Sequence, residues 1–219
     1  MSVFVKPPVP SFSGEVHRIS WSKWYWHDVV PEWNFEGYEG TPLEVEVYCG
    51  YELVELFLNG KSLGKKETNR NTQWVAQWLV PYESGELKAV AYNGDEEKAV
   101  NILKTALKPE LITLVPDKQK LIANGQDLSF VTVTVTDKDG TINPKAENLI
   151  HFSVDGPAEI IAVANSNPMS VESFQANERK AWKGKALVIV KTEKNKPGQI
   201  TLTAESDGLK NASINLISK

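Results

Sequence analysis

From Thr41 onward, apolar and polar residues alternate in short runs, and the period of two is that of strands whose side chains point to opposite faces of a sheet. Leu43, Val45, Val47 and Cys49 alternate with Glu44, Glu46 and Tyr48, which predicts a half-buried strand with a polar outer face. Val54, Leu56 and Leu58 repeat the pattern, and Asn59-Gly60 follows at once. Both residues accept the positive φ that a type I′ hairpin demands, so Lys61-Ser62-Leu63 reads as the start of the return strand. Trp74, Ala76, Trp78 and Val80 make the next apolar face, as far as Pro81. Leu87, Ala89 and Ala91 make another, closed by Asn93-Gly94, and a last strand covers residues 98–104.

Ala106-Leu107-Lys108-Pro109 interrupts this series, because proline removes a backbone donor and stops a strand. A second series begins with Leu111, Thr113 and Val115 and crosses Asn124-Gly125. Its strongest member is Leu128–Thr136, rich in β-branched residues, with Val131, Val133 and Val135 toward a core and Thr132, Thr134 and Thr136 outside. Asp137-Lys138-Asp139-Gly140 is read as a turn; it resembles the start of a calcium loop, but Gly140 comes too early for one. Further strands are expected over residues 150–154, 159–164, 186–191, 199–204 and 212–216. Residues 165–184 lack a clear period and are read as a crossover on a sheet edge in preference to a functional loop. With no amphipathic helix of useful length, the fold expected is all-β. Two consecutive immunoglobulin-like or fibronectin-like β-sandwiches would cover residues 41–106 and 107–219.

Residues 1–40 differ. Pro7, Pro8 and Pro10 predict an extended linker. An aromatic cluster follows, holding Trp21, Trp24, Tyr25, Trp26, Trp33, Phe35 and Tyr38, and so four of the chain's seven tryptophans. No strand or helix period fits it, and Pro31, Gly37 and Gly40 point to irregular structure. Such an apolar stretch should be covered, so Trp21, Trp24, Trp26 and Trp33 are candidate docking residues at a domain junction. The second reading is direct sugar contact, since the apolar face of a pyranose packs on an indole while its hydroxyls stay solvated.

Composition narrows the chemistry. A net charge of −4 and a pI near 5.5 argue against nucleic-acid or anionic-membrane partners, which need clustered positive charge. No apolar run approaches the roughly 20 residues that span a bilayer. No basic segment followed by an apolar core marks a signal peptide, and the opening Met1-Ser2-Val3 runs into prolines as a piece of a longer polypeptide would. Cys49 has no second cysteine to pair with and falls on an apolar strand face, so a buried, unreactive thiol is expected. His17, His27 and His151 show neither metal-ligand spacing nor a nucleophile beside them, and no glycine-rich phosphate loop is present. No cofactor or metal is expected. Asn177-Glu178 is the one dipeptide with a catalytic look.

Several stretches together resemble the C-terminal region of glycoside hydrolase family 2, in particular the β-galactosidases of Bacteroides-type bacteria. They are Val30-Pro31-Glu32-Trp33-Asn34-Phe35-Glu36-Gly37-Tyr38-Glu39-Gly40, the hairpin Val54 to Gly64, Val80-Pro81-Tyr82 with Gly85 to Val90, Gly125 to Val131, Asn165-Ser166-Asn167-Pro168 and Arg179-Lys180-Ala181-Trp182. The resemblance implies β-sandwiches that follow a catalytic TIM barrel, with the catalytic glutamates in that barrel. This chain lacks the strand–helix alternation of a barrel, and Asn177-Glu178-Arg179-Lys180 does not match the barrel's Asn-Glu motif in context, so no catalytic residue carries over. Residues 1–40 would be the tail leaving the barrel. The role implied is a non-catalytic accessory region, inactive alone, that packs on its own barrel, shapes the active-site rim or supports a homo-oligomer. A periplasmic or secreted setting is implied for the whole enzyme. The alternatives are a carbohydrate-binding module using the aromatic cluster and, with no internal repeat to favour it, a surface adhesin.

Overall fold

The computed structural model describes residues 1–10 and 27–219. They form two compact units, Met1–Thr105 and Ala106–Lys219, and each closes its own hydrophobic core. Every regular element among the described residues is a strand.

The first unit contains β1 (Ser2–Val5), β2 (Pro42–Tyr48), β3 (Leu53–Leu58), β4 (Lys61–Glu67), β5 (Val75–Pro81), β6 (Glu86–Asn93) and β7 (Glu96–Lys104). A three-stranded sheet, β1-β2-β5, and a four-stranded sheet, β4-β3-β6-β7, make an antiparallel sandwich. Val45 and Val47 from one sheet, and Val54, Leu56, Leu87 and Ala89 from the other, are wholly buried. The strict alternation therefore places one face of each sheet inward, and burial of these side chains drives the two sheets together. Cys49 is buried as expected.

The β3–β4 hairpin forms at the expected residues, with φ of +48° at Asn59 and +80° at Gly60. Asn59 has a second task. Its Oδ1 accepts from the Glu86 N–H at 2.8 Å, and its Nδ2 donates to the Ser84 carbonyl at 3.2 Å, which ties the hairpin to the β5–β6 corner. Gly85 makes that corner possible. Its φ is +138°, and a Cβ there would lie 1.9 Å from Asn59 Oδ1. A Gly85→Ala chain should lose on the order of 2–3 kcal/mol, since backbone strain and displacement of the Asn59 cap add. Chemical denaturation that follows the first unit checks this; a midpoint unchanged from the parent would refute it.

Two expectations need correction here. Residues 1–40 are not wholly a tail beside the first sandwich. Ser2–Val5 runs antiparallel to β2 from Ser2↔Tyr48 to Val5↔Val45, and Val5 exchanges two 2.8 Å backbone hydrogen bonds with Val30. Val3 and Val5 complete the core, so the prolines follow a strand. Trp74 does not share a face with Ala76, Trp78 and Val80: it precedes β5, has φ of +63°, and is half exposed.

The second unit contains β8 (Leu111–Pro116), β9 (Lys120–Leu121), β10 (Leu128–Thr136), β11 (Leu149–Asp155), β12 (Ala158–Ala164), β13 (Glu178–Lys180), β14 (Lys185–Thr192), β15 (Gly198–Glu205) and β16 (Ala212–Ser218). Its sheets run β12-β14-β10-β8 and β13-β11-β15-β16-β9. Val131, Val133 and Val135 on β10 are fully buried against Ile150, Ile200 and Leu202 of the same core. On β8 the inward residues are Ile112 and Leu114, while Val115 is exposed. The inward phase is therefore that of Ile112 and Leu114 and not that of Leu111, Thr113 and Val115, since neighbours on a strand point to opposite faces.

Asp137-Lys138-Asp139-Gly140 is the expected turn. The Asp137 carboxylate is buried and accepts from the Asp139 and Thr141 N–H groups at 2.9 Å and the Leu107 N–H at 2.8 Å. Burial pushes its pKa up, but these main-chain donors outweigh burial and hold it below the usual carboxylate value.

Candidate functional site

Of the four tryptophans singled out from the sequence, Trp21, Trp24 and Trp26 lie outside the described residues. Trp33 is described, and it is completely buried in the first unit. Its ring packs edge-to-face with Phe35 at 6.2 Å and Tyr82 at 5.0 Å between centroids. Its Nε1–H donates to the Glu83 carbonyl at 2.8 Å, and its own carbonyl accepts from Thr105 Oγ1 at 2.6 Å. An indole enclosed in this way offers no face to a sugar. Trp33 therefore staples the opening segment to the sandwich core, which corrects both its readings, as a docking residue at a domain junction and as a sugar contact.

Asn177-Glu178 also loses its catalytic look. Glu178 is on β13, an edge strand that pairs with β11 through Leu149↔Lys180, Ile150↔Arg179 and His151↔Glu178. Its exposed carboxylate faces the His151 ring at 3.0 Å. Retaining glycosidases need a second carboxyl group about 5–5.5 Å away, and here the neighbour is an imidazole.

The same strand carries the most unusual side chain of the second unit. Arg179 is buried, and the connection from Asn165 onward winds around it. Its Nη2 donates to the Val163 carbonyl at 2.9 Å and its Nη1 to Ser170 Oγ at 3.1 Å, while Glu172 Oε2 lies 3.4 Å from Nη1. Phe174 covers the guanidinium, with Cζ 4.9 Å from the ring centroid. Glu172 binds back to the sheet by accepting from the Lys180 N–H at 3.0 Å and from Ser170 Oγ at 2.9 Å. Burial alone would raise the Glu172 pKa; the Lys180 and Ser170 hydrogen bonds and the Arg179 charge together pull it below the usual value.

This connection is a crossover on the sheet edge, but it also displays something. Met169, Val171 and Phe174 are exposed, Val171 at 99%. A charged residue at the base fixes the loop, and apolar residues stand at its tip. Nothing in the local pattern announces this, since Arg179 lies in a polar run that would ordinarily face solvent.

Comparison with known proteins places the chain. Residues 112–215 match the model of the glycoside hydrolase family 2 C-terminal domain 5, and residues 40–99 match a family described only as a domain of unknown function. A family 2 glycosyl hydrolase structure from Bacteroides cellulosilyticus superposes with a TM-score of 0.92 at 45% identity over 100% of this chain. The chain belongs to the C-terminal region of glycoside hydrolase family 2. The beta-galactosidase BoGH2A of Bacteroides ovatus is 40% identical over 92% of the chain, and a putative beta-glucuronidase of Formosa agariphila is 33% identical over 79%. The chain spans 24% and 17% of the lengths of these two relatives, and 28% of the B. cellulosilyticus protein. Among its described residues this family 2 region carries β-sandwiches and no helix from which a barrel could be built.

Proposed function

We propose that the chain is a non-catalytic accessory region of a β-galactosidase-like family 2 glycoside hydrolase and that it packs on that enzyme's catalytic barrel. The carrying observation is the exposed apolar trio Met169, Val171 and Phe174, on a loop whose Ser170, Glu172 and Phe174 close on the buried Arg179. A loop braced from below loses little freedom when its tip is covered, which favours docking. The whole-chain likeness to family 2 proteins several times its length supports a larger body for it to meet. Trp33, which belongs to the core, lends no support to a carbohydrate-binding module built on the N-terminal tryptophans.

The purified chain should not turn over an aryl β-galactoside. Turnover that disappears in Glu178→Gln would overturn the proposal. In the full-length enzyme, Val171→Asp should lower the melting temperature and leave the melting of the isolated chain unchanged. Equal effects on both would mean that the tip has no partner.

A further inference from the structure

One end of the first unit presents a second unusual surface. The β2–β3 connection, the β4–β5 connection and the end of β6 converge around a cleft of about 560 Å³, within the roughly 300–1,000 Å³ typical of small-molecule sites. Trp74 lines it and is 49% exposed. Around it stand Glu52, Glu67, Asn69 and Asn93.

The loop that carries Trp74 is wound tightly. Gln73 and Trp74 are consecutive non-glycine residues with φ of +54° and +63°, a conformation that bulky side chains adopt only when the surroundings enforce it. The enforcement is visible. The Trp74 N–H donates to the Asn69 carbonyl and its carbonyl accepts from the Cys49 N–H, both at 2.9 Å, and Asn69 Oδ1 accepts from the Asn71 N–H at 2.8 Å. The indole is thus set on rigid backbone and half open to water, whereas Trp33 in the same unit is enclosed.

We infer that this cleft binds a neutral pyranoside, with Trp74 as the stacking platform. Sugar rings pair an apolar face with a rim of hydroxyls, and the cleft pairs an indole with amides and carboxylates that can accept and donate at that rim. Asn93 and Glu52 each use one side-chain oxygen on a main-chain N–H, of Glu52 and Gly94 respectively, so both are pre-oriented and keep further hydrogen-bonding capacity. Charge selects among sugars. Glu52 and Glu67 line the cleft and no lysine or arginine does, so an anionic uronoside meets repulsion that a neutral glycoside does not.

Calorimetric titration of the full chain with methyl β-galactoside and with methyl β-glucuronide tests this. Saturable millimolar binding of the neutral sugar is expected, with the glucuronide at least tenfold weaker. Trp74→Ala should weaken binding at least tenfold, and Trp74→Phe, which keeps a ring, should stay within a few-fold of the parent. Trp74→Gly tolerates the positive φ, so it removes the platform without a conformational penalty and should match Trp74→Ala. Absence of saturation by the neutral sugar overturns the inference. So does binding that both Trp74→Ala and Trp74→Gly leave unchanged, which would put the sugar elsewhere on the chain.

Discussion

Trp33→Ala should lower the stability of the first unit by about 4 kcal/mol. Removing a fully buried tryptophan typically costs about 3–5 kcal/mol, because transfer energy is lost and the cavity closes only in part. Here the ring also contacts Phe35 and Tyr82 edge-to-face, and the Glu83 carbonyl would lose its donor. For a unit of this size, that loss corresponds to a fall of roughly 15–30 °C in melting temperature. Thermal unfolding followed by near-UV circular dichroism reads it, with the second unit's transition unmoved. Trp74→Ala is the matched control: its exposed side chain should be worth less than about 0.5 kcal/mol. A residue whose task was to meet another domain would leave the isolated chain's melting unchanged, and that outcome would restore Trp33 as a docking candidate.

The contrast between these two tryptophans shows where a sequence pattern stops being informative. The strands of both sandwiches are legible because burial of one sheet face imposes a period of two, and Val131, Val133 and Val135 or Val54, Leu56 and Leu58 obey it without ambiguity. The Asn59-Gly60 turn is legible because few residue pairs accept positive φ twice. Trp74 misleads for the opposite reason. It continues the apolar alternation of β5, but a left-handed pair of non-glycine residues ends the pleat just before Val75, and neither glutamine nor tryptophan announces such a backbone. On β8, Leu111, Ile112, Leu114 and Val115 put apolar residues in both phases, so only the partner sheet decides which face is inside.

Trp33 and Arg179 are hidden in a deeper way. The Trp33 environment is made with Tyr82 and Glu83, about fifty positions along the chain, and no local window contains that pairing. Ser2–Val5 is similar: four residues before a proline run make a poor strand alone, and they become one because β2 has an open edge. Buried arginine runs against the expectation that guanidinium groups face water. It becomes tolerable only when the Glu172 carboxylate, the Val163 carbonyl and the Phe174 ring close around it.

Arg179 carries the second large effect. Arg179→Ala should destabilise the second unit by about 3 kcal/mol, since it empties a buried site, takes the guanidinium donor from the Val163 carbonyl and leaves Glu172 without its cationic partner. Glu172→Gln should cost less, about 2 kcal/mol, because Glu172 is partly solvated and water screens its charge. It still leaves a buried guanidinium without its counter-ion. The pH dependence has a definite sign. The folded-state pKa of Glu172 lies below its unfolded value, so its contribution is complete above the ordinary carboxylate pKa and is lost as pH falls through the lowered one. The parent should therefore lose stability on acidification below about pH 4, and Glu172→Gln should lose less over the same interval. Asp127, lowered first by its hydrogen bond from Lys118, and Asp137 would supply the slope that remains. The loop reports separately from global stability. With Arg179 gone, Ser170, Glu172 and Phe174 have nothing to wind around, so Met169 to Phe174 should be cut by a protease that prefers apolar residues while the rest of the unit still resists. Arg179→Met separates the two effects: it refills the volume and recovers part of the stability, but without the fork of hydrogen bonds the loop should remain open to cleavage. If Arg179→Met protects the loop as well as the parent does, packing alone holds the tip in place and the charge is dispensable.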